Sequence, residues 1–188
     1  MAVQLVYETH ATTTDNEAGI ATGWLPGVLS DAGRRGAREL GRRRRGDGVS
    51  VVYVSDLARA VETAEIAFAG SGIPVRQDPR LRECNYGELN GAPVSRLAAE
   101  RAAHIDTPWP GGQSYREVVH ATEGFLRDLV AEWDGHRVVV IAHSANRWAL
   151  QHLLGGAALE LLVTAPFAWQ EGWEYTLPTG WAGRAVSH

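Results

Sequence analysis

The sequence predicts an α/β fold, a three-layer sandwich whose mostly parallel central sheet carries helices on both faces. Two observations lead there. Arg137 to Ala142 (RVVVIA) is an unbroken β-branched run of the kind found in parallel strands covered on both sides. Strand-like and helix-like segments also alternate along the chain at the spacing of right-handed crossovers.

Taken in order, Val3 to Tyr7 (VQLVY) reads as the first buried strand and Val49 to Val54 (VSVVYV) as the second. Between them Ser30 is placed to cap a helix running from Asp31 through the basic run Arg42 to Arg45. That run ends before Gly46-Asp47-Gly48 and reads as a solvated helix end, where cations suit the dipole. Leu57 to Ala69 forms a second helix and Ser114 to Trp133 a long third one. After the strand at 137–142, Ser144 to Leu154 is helical and stops at Gly155-Gly156. PFAWQEGWEYTL reads as two short edge strands around Glu171-Gly172. Asp78 to Gly112, with Pro79, Pro93, Pro108 and Pro110, is an irregular excursion with one short helix. No repeat or linker divides the chain, so residues 1–188 are expected to form a single domain.

Composition narrows the function classes. The net charge of -4 gives no basic field, so no nucleic acid is expected as partner. No apolar run reaches membrane length and no signal peptide is visible, so no membrane is expected. One cysteine, Cys84, excludes an intramolecular disulfide and suits a reducing compartment; the expected localisation is cytoplasmic. All 18 basic residues are arginine, which removes P-loop and Schiff-base lysine chemistry. A bound phosphate must then be held by arginine, histidine, hydroxyls or backbone amides.

Ligands of open parallel sheets lie outside the carboxyl ends of the strands. Those ends deliver Thr9-His10, Ser55 to Arg59, and His143-Ser144, so two histidines and an arginine converge on one rim. Four chemistries compete for it. A serine-hydrolase elbow at Ala142 to Asn146, with Asn146 standing in for glycine at positive φ, should be followed by an acid and then a histidine, and no Asp follows Ser144. Beyond His152 only the terminal His188 remains. A cysteine phosphatase needs an arginine six residues after its thiolate, where Asn90 stands. A zinc site has neither a cysteine pair nor close-spaced histidines, so no metal and no cofactor are expected. The fourth uses His10 as nucleophile toward phosphorus, Arg59 and His143 around the phosphoryl oxygens, and Glu83 as proton donor.

Several motifs in order carry a resemblance. Thr9-His10-Ala11 with Thr13 and Asn16 is followed by Thr22-Gly23-Trp24 and Leu29-Ser30-Asp31-Ala32-Gly33. Ser55-Asp56-Leu57-Ala58-Arg59-Ala60 continues to Thr63-Ala64; Leu81-Arg82-Glu83, Pro110-Gly111-Gly112-Gln113-Ser114 and His143-Ser144 complete the set. Together they resemble the histidine phosphatase superfamily, which includes the phosphoglycerate mutases. The resemblance implies a metal-independent phosphatase in which His10 is phosphorylated, Arg59 and His143 bind phosphoryl oxygens and Glu83 donates the proton. Thr9, Thr13, Asn16, Thr22, Gly23 and Ser144 would surround the substrate. Three positions depart from the family: Thr9 replaces its first arginine, Ala11 the following glycine, and Ser144 the glycine after the second histidine. Arg82 or Arg147 is a candidate substitute cation, and Glu8 a strand-end carboxylate that orients the imidazole. A small-molecule phosphate ester is the expected partner, and a homodimer stays open. The lost arginine also keeps open a non-catalytic protein on the same fold, or phosphoramidate or non-phosphate chemistry in the same pocket.

Overall fold

The computed structural model describes residues 1–183. Its main sheet has five strands: β1 (Ala2–Thr9), β3 (Val49–Val54), β4 (Val75–Gln77), β6 (Arg137–Ala142) and β7 (Trp173–Pro178). They lie in the order β4-β3-β6-β1-β7, with only β7 antiparallel. The predicted three-layer arrangement is observed. Alternating side chains of the sheet feed two cores. Leu5, Tyr7, Tyr53 and Val140 pack under α5 (Tyr115–Trp133) and α6 (Ser144–Gly155). Val6, Val52, Val54 and Ile141 pack under α2 (Asp31–Arg44) and α3 (Ala58–Phe68). This double burial is why β3 and β6 read as continuous apolar runs.

The helix starts follow local chemistry. Ser30 and Ser114 accept hydrogen bonds from Gly33 N and Glu117 N, at 3.1 and 3.2 Å, and so cap α2 and α5. Gly156, at φ +71°, ends α6 in the left-handed conformation. Gly33 is required for another reason. A Cβ there would stand 1.9 Å from the carbonyl oxygen of Thr12, so only glycine lets α2 seat against the loop that follows β1.

The excursion contains β5 (Ala92–Pro93), which pairs with β2 (Ile20–Ala21), and one α-helix, α4 (Val94–Glu100), among short 3₁₀ turns. Two small helices complete the chain, α1 (Thr14–Glu17) and α7 (Leu159–Thr164). One expectation needs correction. The stretch from Pro166 to Leu177 holds one strand, β7, while residues 166–170 form none. β7 is therefore the last strand of the sheet, and its outer edge carries no partner among the described residues. No helix among the described residues is long and apolar enough to cross a membrane.

Candidate active site

The register of the sheet assembles the reaction centre. Thr9 lies directly opposite Ala142 in the parallel β1–β6 ladder, and His10 N extends it by bonding Ala142 O at 2.9 Å. The next residue of each strand is therefore a histidine. The rings of His10 and His143 lie 5.0 Å apart, inclined at 55°. Ser55 N bonds Ile141 O at 3.1 Å, which brings the end of β3 alongside. Arg59, in the first turn of α3, then reaches between the two rings. Its Nε donates to His10 Nε2 and its Nη2 to His143 Nδ1, each at 3.3 Å.

These partners settle both tautomers. Arginine only donates, so His10 Nε2 and His143 Nδ1 must accept. The protons then lie on His10 Nδ1, 2.7 Å from the carbonyl oxygen of Ala11, and on His143 Nε2, 2.9 Å from Ser55 Oγ. His10 thus presents a lone pair on Nε2. Burial, and secondarily the Arg59 guanidinium, lowers its pKa to about 3, and the same causes with His10 itself push His143 well below the usual histidine range. Both imidazoles are neutral at pH 7.

Arg59 is 3 % exposed and has no carboxylate within ion-pair distance among the described residues. It donates otherwise to the carbonyl oxygens of Gly23, at 2.8 Å, and Leu25, at 3.3 Å. Burial lowers its pKa from the ordinary arginine value, with Glu83 acting in the opposite direction. A buried guanidinium held only by neutral groups is poised to receive an anion. Glu83, 8 % exposed, is fixed by three donors: Cys84 N at 2.8 Å, Ser144 Oγ at 3.0 Å and Ala145 N at 3.2 Å.

Around this centre lies a cavity of about 580 Å³, lined by Thr9, His10, Asn16, Glu83, His143 and Ser144 among others. A smaller adjoining space takes in Thr22, Gly23 and Arg59. Thr22 Oγ1 donates to Asp15 at 2.8 Å, and Gly23, at φ +56°, packs where a Cβ would stand 1.8 Å from Asn90 Oδ1. Thr13 is not brought to either space; it is fully buried, and its hydroxyl accepts from Asn16 N at 3.0 Å to cap α1. Asn146 is no turn residue at positive φ: it lies in the first turn of α6, its amide group bonding His143 N and Arg82 O. Ser144 faces Glu83 rather than a histidine, and His188 lies outside the described residues. No group of three or more potential metal ligands occurs among the described residues.

Neither candidate substitute for the lost arginine lines the cavity. Arg82 grips Asp56 through two bonds of 2.7 and 2.6 Å and lies over Trp24. Arg147 bonds Gln151 and lies over Trp173 and Tyr175. Among the described residues, two further arginines line the cavity: Arg43, which is paired with Glu8 and Glu171, and Arg101, just beyond α4, which has no ion-pair partner. Arg101 is the one that reaches the reaction centre. It borders both spaces, stacks on Trp148 at 5.2 Å and has a buried Nε without a partner. No motif marks it, because the excursion folds over the rim only in three dimensions. Glu8, 2 % exposed, does not orient His10. It bonds Arg44 at 2.8 Å and Arg43 at 3.5 Å, so the end of α2 is turned inward rather than solvated along its whole length.

A strand-end histidine pair bridged by a buried arginine, with a fixed carboxyl alongside, defines an α/β phosphoryl-transfer enzyme. The chain matches the model of the histidine phosphatase superfamily (branch 1) over residues 9–167 and belongs to that family. It is 30% identical over 173 residues to a 2,3-bisphosphoglycerate-dependent phosphoglycerate mutase of Methylobacterium sp. (strain 4-46), covering 84% of this chain and 83% of the relative. Among solved structures, Bacillus stearothermophilus YhfR superposes with a TM-score of 0.81 at 27% identity, over 90% of this chain and 88% of that one. A mycobacterial glucosyl-3-phosphoglycerate phosphatase gives 0.74 at 25% identity, over 87% and 84%.

Proposed function

We propose that the protein is a metal-independent phosphatase that hydrolyses a small phosphorylated metabolite through a phosphohistidine on His10. The observation that carries the reading is Arg59, buried without a carboxylate partner and bonded to both imidazoles. His10 Nε2 attacks phosphorus as the P–O bond to the alcohol breaks, and Glu83 gives its proton to the leaving oxygen. Glu83 then takes a proton from water, whose oxygen attacks phosphorus while the P–N bond breaks and phosphate departs. Arg59 exchanges its imidazole contacts for phosphoryl oxygens. Ser55 Oγ both donates and accepts, so it holds either tautomer of His143, and the one with Nδ1–H donates to the transferred group.

The similar proteins carry both mutase and phosphatase names. Hydrolysis is favoured over mutase transfer by the short excursion at 78–112, which leaves the cavity accessible to water. The free, buried Cys84 suits a cytoplasmic protein. The test is chemical trapping: brief reaction with substrate and an alkaline quench should leave phosphate on His10, and His10→Ala should lose both label and turnover. Turnover by His10→Ala at the wild-type rate would remove the mechanism.

A further inference from the structure

The cavity does not end at the phosphoryl site. It continues past Thr9 and Ala11 between α2 and the segment at 166–171, where Gly36 and Leu40 form one wall and Phe167 and Trp169 the other. Thr9, Ala11 and Thr12 border it beside His10. A Cβ placed on Gly36 would meet nothing within 4 Å, so the α2 wall is open there. Trp169 is 62% exposed and contacts no other aromatic ring among the described residues, whereas Trp109 and Trp173 are spent on the core. The segment that carries it is nonetheless anchored. Arg44 bonds Glu171 O and Glu8 together, Arg43 pairs with Glu171 at 3.6 Å, and a Cβ on Gly172 would stand 2.3 Å from Arg44 Nη2. An exposed indole on a tethered wall, continuous with the reaction centre, is a preformed binding face.

We infer that this passage is the subsite for the alcohol half of the substrate, and that it takes phosphate monoesters whose alcohol carries a planar aromatic ring. The inference rests on the phosphatase reading above and extends it to a substrate class. The acidic groups along the passage do not oppose it. Glu8 and Glu171 are neutralised by Arg43 and Arg44, and Glu39 by Arg42. The surface left to an incoming group is then mainly ring and aliphatic carbon.

The test compares 2-(2-naphthyl)ethyl phosphate with ethyl phosphate, two primary-alkyl esters of similar leaving ability. Burial of the naphthyl group predicts a kcat/KM ratio on the order of 10² in favour of the aromatic ester. Trp169→Ala should reduce that ratio about tenfold, while Trp169→Phe keeps most of it. Gly36→Leu, which fills the passage and raises helix propensity in α2, should also reduce the ratio. A wild-type ratio near one, or a ratio unmoved by both Trp169→Ala and Gly36→Leu, overturns the assignment. Should neither ester release phosphate, the hydrolase reading falls by itself. The calorimetric dissociation constants of the matching phosphonates then decide the subsite on the same ratio.

Discussion

Replacing Thr9 by arginine tests how the pocket meets a dianion. Thr9 is the last paired residue of β1 and lines the cavity beside His10. Among the described residues of the wild type, the only guanidinium bonded at the centre is Arg59, with Arg101 at the rim; Arg82 and Arg147 are held elsewhere. A new charge-assisted contact to an oxyanion contributes about 1.5–3 kcal/mol, or roughly 10- to 150-fold in affinity. Ordering the long arginine side chain on binding offsets part of this, leaving about 10- to 50-fold. Glu8 should not capture the new group, because Arg44 and Arg43 already neutralise it. The assay is vanadate inhibition of aryl phosphate hydrolysis, or vanadate calorimetry. Wild-type and Thr9→Arg constants within twofold of each other would refute the reasoning, showing that the wild type already supplies an equivalent cation. Turnover of the native substrate should gain less or fall, since the arginine would narrow the passage beside it.

Glu83→Gln preserves shape and removes the acid, so alkyl phosphates should slow by about 10²- to 10⁴-fold and activated aryl phosphates by less. Equal losses on both would move the acid elsewhere. His10 is neutral in the folded chain down to about pH 3, whereas an unfolded histidine takes up a proton near 6.5. The unfolded state therefore binds more protons below pH 6.5, and stability falls as pH drops from there toward 3. Between pH 7.5 and 5, His10→Asn should lose about 1–2 kcal/mol less than wild type in urea titrations; parallel losses would sink the assignment. Glu8→Gln leaves Arg44, 11% exposed, with Asp47 as its remaining carboxylate, and should destabilise by about 2 kcal/mol in the same assay. An unchanged denaturation midpoint would mean the Glu8 cluster contributes nothing.

The strands that carry the centre were legible because β1, β3 and β6 are buried on both faces and leave uninterrupted apolar runs, so their ends and the residues just beyond them could be read. The same reasoning brought His10, Arg59 and His143 to one rim, and the structure places them there. What escaped depends on contacts remote in sequence. β4 is three exposed residues with no apolar pattern. Arg101 and the partners of Glu8 are set by how the excursion and the end of α2 pack. Trp169 lines the cavity, whereas Trp109 and Trp173 are buried in the core and Tyr175 packs against it, a division that side-chain type alone does not reveal. Thr13, which the family resemblance puts beside the substrate, has its hydroxyl consumed by a helix cap.

The strand order also dictates when the centre can come into being. β6 lies between β1 and β3, so the two earlier strands share no edge and cannot pair with each other. During synthesis β1 has neither partner, and β3 has only the three-residue β4 beside it, until residues 137–142 have left the ribosome, more than 80 positions after β3 began. Closing so long a loop is entropically slow, and the waiting strands expose open edges. A chain interrupted before β6 would hold His10 and Arg59 with nothing to align them, and would be prone to aggregate. Insertion of the central strand is thus the step that converts a loose, adhesive polypeptide into a catalyst, and folding and the birth of the active site become a single event.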